Sequence, residues 1–207
     1  MSHDLRTPLT VIYGYVNRLK EQITDEKLLK EVDMIYARTK EMIDLTEELF
    51  KYAVYKDSEF TPNLERLKIN EILENGILGF YSAFAERGIE PIVEICDVPV
   101  YGVTDKQALS RIISNIISNA IKYAKTDFAV TMTPDGVITF SNTAPELNYV
   151  NVERLLDRYY TVKSNSESTG LGLSIARLLA EKSNCEIAAS YADGRLSISV
   201  TVKDGLA

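Results

Sequence analysis

Three short stretches of this 207-residue sequence hold side chains whose types and spacing could do chemistry. The first is Ser2-His3-Asp4-Leu5-Arg6-Thr7-Pro8-Leu9, in which His3 is the one histidine of the chain. A neutral imidazole carries a free nitrogen lone pair near pH 7 and can act as nucleophile or proton carrier, although a lone histidine is more often structural. The second is Asn115-Ile116-Ile117-Ser118-Asn119-Ala120-Ile121-Lys122-Tyr123. At helical spacing Asn115, Asn119 and Lys122 share one face, with Tyr123 at its edge. Asparagine is a poor helix former, yet its carboxamide oxygen suits Mg²⁺, which takes a few protein oxygens together with phosphate and water. Lys122 can meet phosphate charge and Tyr123 can stack on a purine; a polar face turned to solvent reads the same way. The third is Thr169-Gly170-Leu171-Gly172-Leu173-Ser174. Glycines at a helix start let backbone N–H groups approach a phosphate with the helix dipole behind them. No Lys-Ser or Lys-Thr follows as in a P-loop, and no strand closely precedes as in a dinucleotide-binding turn. An ordinary helix start is the alternative.

The elements that must position these residues follow from periodicity. Leu5, Leu9, Ile12, Val16, Leu19 and Ile23 alternate spacings of four and three, a heptad seam on one helix. Gln22-Ile23-Thr24-Asp25 reads as a tight connection, with Asp25 or Thr24 capping a second helix that runs to about Tyr55. The second seam reads Leu28, Val32, Ile35, Thr39, Met42, Leu45 or Thr46, Leu49 and Ala53. Two such helices form an antiparallel hairpin, which cannot enclose a core alone, and a four-helix bundle from two chains is the simple solution. Residues 57–68, with Pro62, read as linker between a hairpin of 1–56 and a domain of 69–207. Beyond it the patterns predict helix over 69–87, strands at 91–96 and 100–103, and helix from Asp105 to about Lys125. Two hairpins are expected around Asp135-Gly136 and Asp193-Gly194. A helix is expected over 171–183, and the span 142–168 has few regular features. The fold class is α+β: a helical hairpin, then helices layered on a mixed, largely antiparallel sheet.

Composition sets bounds. A net charge of −7 argues against nucleic-acid and anionic-membrane binding. Cys96 and Cys185 stand far apart with no CxxC partner, so no zinc or redox motif is visible, and a reducing compartment is favoured. No apolar run is long enough to span a membrane.

In this order the three stretches resemble the sequence boxes of bacterial sensor histidine kinases. Residues 2–9 resemble the H box, residues 115–123 the N box, and residues 169–175 the second glycine box. Leu156-Asp157-Arg158-Tyr159-Tyr160 is similar to the F box, with Leu156 where Phe is usual. The resemblance implies a dimerisation and phosphotransfer hairpin, with helices 1–23 and 25–55 forming a homodimer, followed by an ATP-binding domain. It implies that His3 accepts a phosphoryl group, that Asp4 is its acid/base partner, and that Thr7 positions a water for dephosphorylating a partner. Asn119 with Asn115 would hold Mg²⁺, Lys122 would contact phosphate, and Tyr123 would lie along ATP. Thr169, Gly170, Leu171 and Gly172 would sit at the phosphates. The implied partner is a response-regulator receiver domain, with no nucleic acid. The implied setting is the cytoplasmic portion of a membrane-anchored sensor. Pro8 removes a backbone donor opposite the Asp4 carbonyl, so a bend is expected at that turn.

The sequence departs from the family in two places. Where an Asp-x-Gly-x-Gly box is usual, with its Asp reading adenine, this chain has Asn142-Thr143-Ala144-Pro145-Glu146. An asparagine oxygen still accepts from an amino group but carries no charge, so weaker adenine binding and altered lid mechanics over 143–168 are expected. The second departure is the position of His3 close to residue 1, which reads as a fragment of a longer protein whose missing turns would tighten dimerisation. A kinase-impaired phosphatase or docking module is the alternative function. An ATPase of the gyrase and chaperone kind is a third, which leaves the H box unexplained.

Overall fold

The computed structural model describes residues 2–147, 150–158, 160 and 170–205, with side chains from Leu5 onward. The chain divides into two compact units, Met1–Val54 and Tyr55–Ala207.

The first unit is built from α1 (Ser2–Gln22) and most of α2 (Glu26–Lys56). Asp25 caps α2, its Oδ1 accepting from the backbone N–H of Lys27 and Leu28 at 2.9 and 3.0 Å. Two ion pairs set the antiparallel register, Lys20 to Asp33 at 2.7 Å and Arg6 to Glu47 at 3.3 Å. Between them the Tyr13 and Tyr36 rings stack at 4.5 Å with their hydroxyls hydrogen-bonded, and Lys20 Nζ lies 4.4 Å from the Tyr36 ring centroid. Val16 and Thr39 are buried nearby. The expected single seam is split in two. Leu9, Val16 and Ile23 are wholly or partly covered, whereas Leu5, Ile12 and Leu19 on α1 and Leu28, Ile35 and Met42 on α2 remain 47–58% exposed. The reason is geometric: a bundle helix presents its heptad to two neighbours, and the hairpin supplies one. Pro8 lies inside α1, whose helix runs through it.

The second unit opens with β1 (Glu65–Lys68), inside the stretch expected to be linker, which pairs antiparallel with β3 (Tyr101–Thr104). Instead of one helix over 69–87 there are two, α3 (Ile69–Leu78) and α4 (Tyr81–Glu86). The break falls at Gly79 and Phe80, where glycine lowers helix propensity and Phe80 leaves helical geometry at φ −113°. The main sheet has the order β2-β4-β5-β7-β6, with β2 (Pro91–Ile95) parallel to β4 (Phe128–Met132). β5 (Val137–Thr143), β6 (Cys185–Ala192) and β7 (Arg195–Val202) are antiparallel to their neighbours.

Burial alternates along β4, β5 and β7, so one face is apolar and the other polar. On the apolar side α5 (Lys106–Tyr123) contributes Leu109, Ile112, Ile113, Ile116 and Ile117, and α6 (Gly172–Lys182) contributes Leu173, Ile175, Ala176 and Leu179. Phe84, Phe128 and Phe140 continue the core as offset stacked rings. A Cβ on Gly76 would lie 2.8 Å from Ile113 Cγ2, so α3 meets α5 through a position only glycine fills. The turn between β6 and β7 has Asp193 at φ 52° and Gly194 at φ 78°, the two left-handed residues of a tight hairpin. Within 142–168 the described residues include regular pieces: β5 extends to Thr143, and two short 3₁₀ turns, Pro145–Leu147 and Val152–Leu156, follow.

Candidate functional site

Three adjoining elements of the second unit carry the residues singled out for nucleotide chemistry. On α5 the apolar stripe is buried, and Asn115 and Asn119 lie half-buried beside it. Lys122 is exposed, and Tyr123 is half-buried at the last turn. The helix is anchored at its start by Asp105, whose Oδ1 accepts from Ala108 N–H at 2.8 Å. Packed against α5, α6 begins differently: its N-cap residue is Leu171, whose hydrocarbon side chain cannot accept from the first-turn N–H groups. Gly170 before it has φ +65°, a left-handed turn that glycine adopts without strain. A Cβ built on Gly172 would meet open space. The third element is β5, where Asn142 is buried on the helix-covered face.

These residues fit a metal–nucleotide group. Asn115 Nδ2 is buried and has no hydrogen-bond partner among the described residues, so the carboxamide has a donor left for a phosphate oxygen. The α6 start combines dipole, glycine turn and free space, the ingredients of an anion site. No group of three or more His, Cys, Asp or Glu side chains that could hold a metal occurs among the described residues. A cation here would rest on amide oxygens and phosphate, which suits a hard ion that keeps much of its own shell.

The box around Asn142 has changed more than one residue. Ala144 is buried and its N–H reaches the Gly194 carbonyl at 2.9 Å. Glu146 reaches back to the end of α5, pairing with Lys125 at 3.2 Å. Downstream, Asp157 pairs with Arg177 of α6 at 3.4 Å, and the Arg154 guanidinium lies 4.7 Å from the Tyr160 ring centroid.

Sequence reasoning missed Asp127 and Arg195. Burial alone would raise the Asp127 pKa, but hydrogen bonds from the Thr143 backbone and side chain and the Arg195 guanidinium outweigh it, holding the carboxyl below its ordinary range. Burial pushes the Cys185 thiol up, against opposing hydrogen bonds from Thr104 and Ser183.

The residues expected to accept and handle the phosphoryl group belong to the first unit. His3 and Asp4 fall within α1, but their side chains lie outside the described residues, as do Thr169 and Tyr159. Thr7 is exposed on α1, one helical turn beyond His3. No described helix is long and apolar enough to cross a membrane.

Comparison with known proteins matches both units. Residues 1–53 match the family model of the His Kinase A (phospho-acceptor) domain. Residues 104–205 match that of the Histidine kinase-, DNA gyrase B-, and HSP90-like ATPase. The chain is 30% identical over 193 residues to the sensor histidine kinase YcbM of Bacillus subtilis (strain 168), covering 88% of this chain and 62% of that protein. Its fold is similar to that of full-length ShkA in complex with AMPPNP, with a TM-score of 0.73 and 19% identity over 100% of this chain and 45% of that one. It is also similar to histidine kinase ThkA in complex with the response regulator protein TrrA, with a TM-score of 0.70 and 19% identity over 98% and 59% of the two chains.

Proposed function

This chain belongs to the sensor histidine kinases, and we propose that it transfers the γ-phosphoryl group of Mg-ATP to His3 and then to an aspartate of a response-regulator receiver domain. The observation that carries the reading is that the one histidine of the chain lies in the region matched by the phospho-acceptor family. A ring nitrogen of neutral His3 attacks the γ-phosphorus; an N–P bond forms as the bond to the bridging oxygen breaks and ADP leaves. Asp4, the neighbouring carboxylate, takes the ring proton. In the second half-reaction an O–P bond forms on the receiver aspartate as the N–P bond breaks. Thr7, one turn along α1, orients a water for the reverse, dephosphorylating activity.

The second unit binds and orients the nucleotide. Asn119 with Asn115 would hold Mg²⁺, which neutralises phosphate charge when bound. Lys122 contacts phosphate, and Tyr123 lies along the nucleotide. Thr169, Gly170, Leu171 and Gly172 bring backbone N–H groups to the phosphates, and Asn142 accepts from the adenine amino group. The functional division is a phosphotransfer hairpin over 1–56, a connection over 57–68 that includes β1, and an ATP-binding domain over 69–207.

The exposed heptad positions Leu5, Ile12, Leu19, Leu28, Ile35 and Met42 support a homodimer closed into a four-helix bundle. A receiver domain as partner is supported by the solved complex of ThkA with TrrA. We place the region on the cytoplasmic side of a membrane-anchored bacterial sensor, as the resemblance of its sequence boxes implies. The net charge of −7 supports a protein partner rather than nucleic acid. Ala144 and Glu146 in the glycine places favour one further reading, a kinase-impaired phosphatase or docking module.

The test is incubation with Mg²⁺ and γ-labelled ATP beside His3→Ala. Acid-labile, alkali-stable label that disappears in the variant is the expected result. Absence of label on a wild-type chain that still binds ATP would overturn the kinase reading in favour of the phosphatase or docking one.

A further inference from the structure

Behind Asn142, on the polar face of the sheet, a row of side chains crosses three strands. Ala129 of β4 pairs with Ser141 of β5, and Thr143 of β5 pairs with Arg195 of β7. Asp127, two residues before Ala129, therefore comes level with Thr143. Its Oδ1 accepts from the Thr143 N–H at 2.9 Å, and its Oδ2 pairs with Arg195 Nη1 at 2.5 Å. The same guanidinium reaches Thr143 Oγ1 at 3.3 Å and Ser141 Oγ at 3.4 Å. Both neighbours of Asn142 are thus gripped from behind.

The grip is passed to Asn142 through Thr143, whose N–H and carbonyl belong to the two successive peptide groups on either side of its Cα. The Thr143 carbonyl accepts from Asn142 Nδ2 at 3.2 Å. A carbonyl can only accept, so the carboxamide half facing it is the nitrogen, and the oxygen is left to accept from a ligand. Orientation matters here for a reason particular to asparagine. An aspartate offers two equivalent acceptors whichever way it turns. An asparagine offers one, and turned over it would set a donor against a donor.

We propose that Asp127 and Arg195 are positioning residues that hold Thr143 by its N–H and its hydroxyl, and so fix its carbonyl against the Asn142 nitrogen, so that the Asn142 carboxamide keeps its oxygen as the acceptor for the exocyclic amino group of adenine. The proposal rests on the reading of Asn142 as the adenine acceptor. The depressed Asp127 pKa agrees with it, since the ionised carboxylate is the form that binds both Thr143 and Arg195.

The experiment measures dissociation constants of the full chain for ATP and for purine riboside 5′-triphosphate, which lacks the exocyclic amino group, both with Mg²⁺. Wild type should prefer ATP by about five- to tenfold, the value of one hydrogen bond. Asn142→Ala and Asp127→Ala should each reduce that preference toward one at a melting temperature that shows a folded domain. Placed in an Asn142→Asp background, Asp127→Ala should no longer change the preference, because an aspartate needs no orienting; a merely structural role would predict the same loss in both backgrounds. A preference that survives Asp127→Ala but falls in Asn142→Ala overturns the positioning role and leaves the adenine reading standing. A preference unchanged in Asn142→Ala overturns the adenine reading and the proposal with it. Should Asp127→Ala fail to fold, Arg195→Lys replaces it, keeping a cation opposite Asp127 without the fork that spans Thr143 and Ser141; an unchanged preference there overturns the proposal.

Discussion

The two units solve the burial problem in opposite ways. In the sheet unit Ile69, Leu73, Phe84, Leu109, Ile112, Ile113, Ile117, Val130 and Ile138 are fully enclosed by that unit's own helices and strands. In the hairpin Val16 and Thr39 are the described side chains that reach burial, while long apolar residues at heptad spacing stay open on both helices. A sheet with helices on one face closes a core from one chain. Two helices leave half of each heptad without a neighbour. The sheet unit should therefore be stable as a monomer, while the hairpin should need a second copy for its stability.

The largest effect should come from charging the open seam. Ile12→Glu with Ile35→Glu should move the chain to monomer in sedimentation, weakening association at least a hundredfold, since each buried isoleucine contributes about 1.5–3 kcal/mol. Helicity of the hairpin should fall with it, while the sheet unit keeps its own transition. A dimer of unchanged affinity would break the comparison. Next in size, Ile113→Ala should cost the sheet unit about 2–5 kcal/mol by opening a cavity beneath α5, read as a lower melting temperature with dimerisation intact. The smallest effect concerns pH. The folded-state pKa of Asp127 lies below its unfolded value. Its stabilisation is therefore complete above the ordinary carboxylate range and lost as pH falls through the folded value. Asp127→Asn should lower the melting temperature of the sheet unit by a few degrees at pH 7, and this gap should close in acid while the hairpin's behaviour is unchanged.

Local pattern carried the reading where structure is local. The heptads gave α1 and α2, the Asp-Gly pairs marked both hairpins, and the isoleucine stripe of 109–117 separated the buried side of α5 from Asn115 and Asn119. Asn142 and the Gly170–Leu171–Gly172 turn also fall on elements that adjoin α5. What escaped was non-local. β1 is a short, charged strand that exists because β3 lies beside it. The split of the α1 seam depends on which neighbour is present. Asp127 and Arg195 are 68 residues apart, and only cross-strand register brings them level with Thr143.

The two ion pairs of the hairpin have a consequence for alignment. A strict heptad repeats itself, so an apolar seam alone tolerates a slip of seven residues, about 10 Å along the helix. Arg6 faces Glu47 and Lys20 faces Asp33 in the observed register. Slip in one direction would bring Arg6 opposite Lys40, and slip in the other would bring Lys20 opposite the same lysine. Each pair is worth little when exposed; the first slip sets one repulsion against a new attraction of Lys20 for Glu26, whereas the second leaves Arg6 opposite Val54 and Lys20 opposite Lys40, with no attraction kept. Lys40, a member of neither pair, thus counts against both neighbouring alignments, and most against the one in which no attraction is kept.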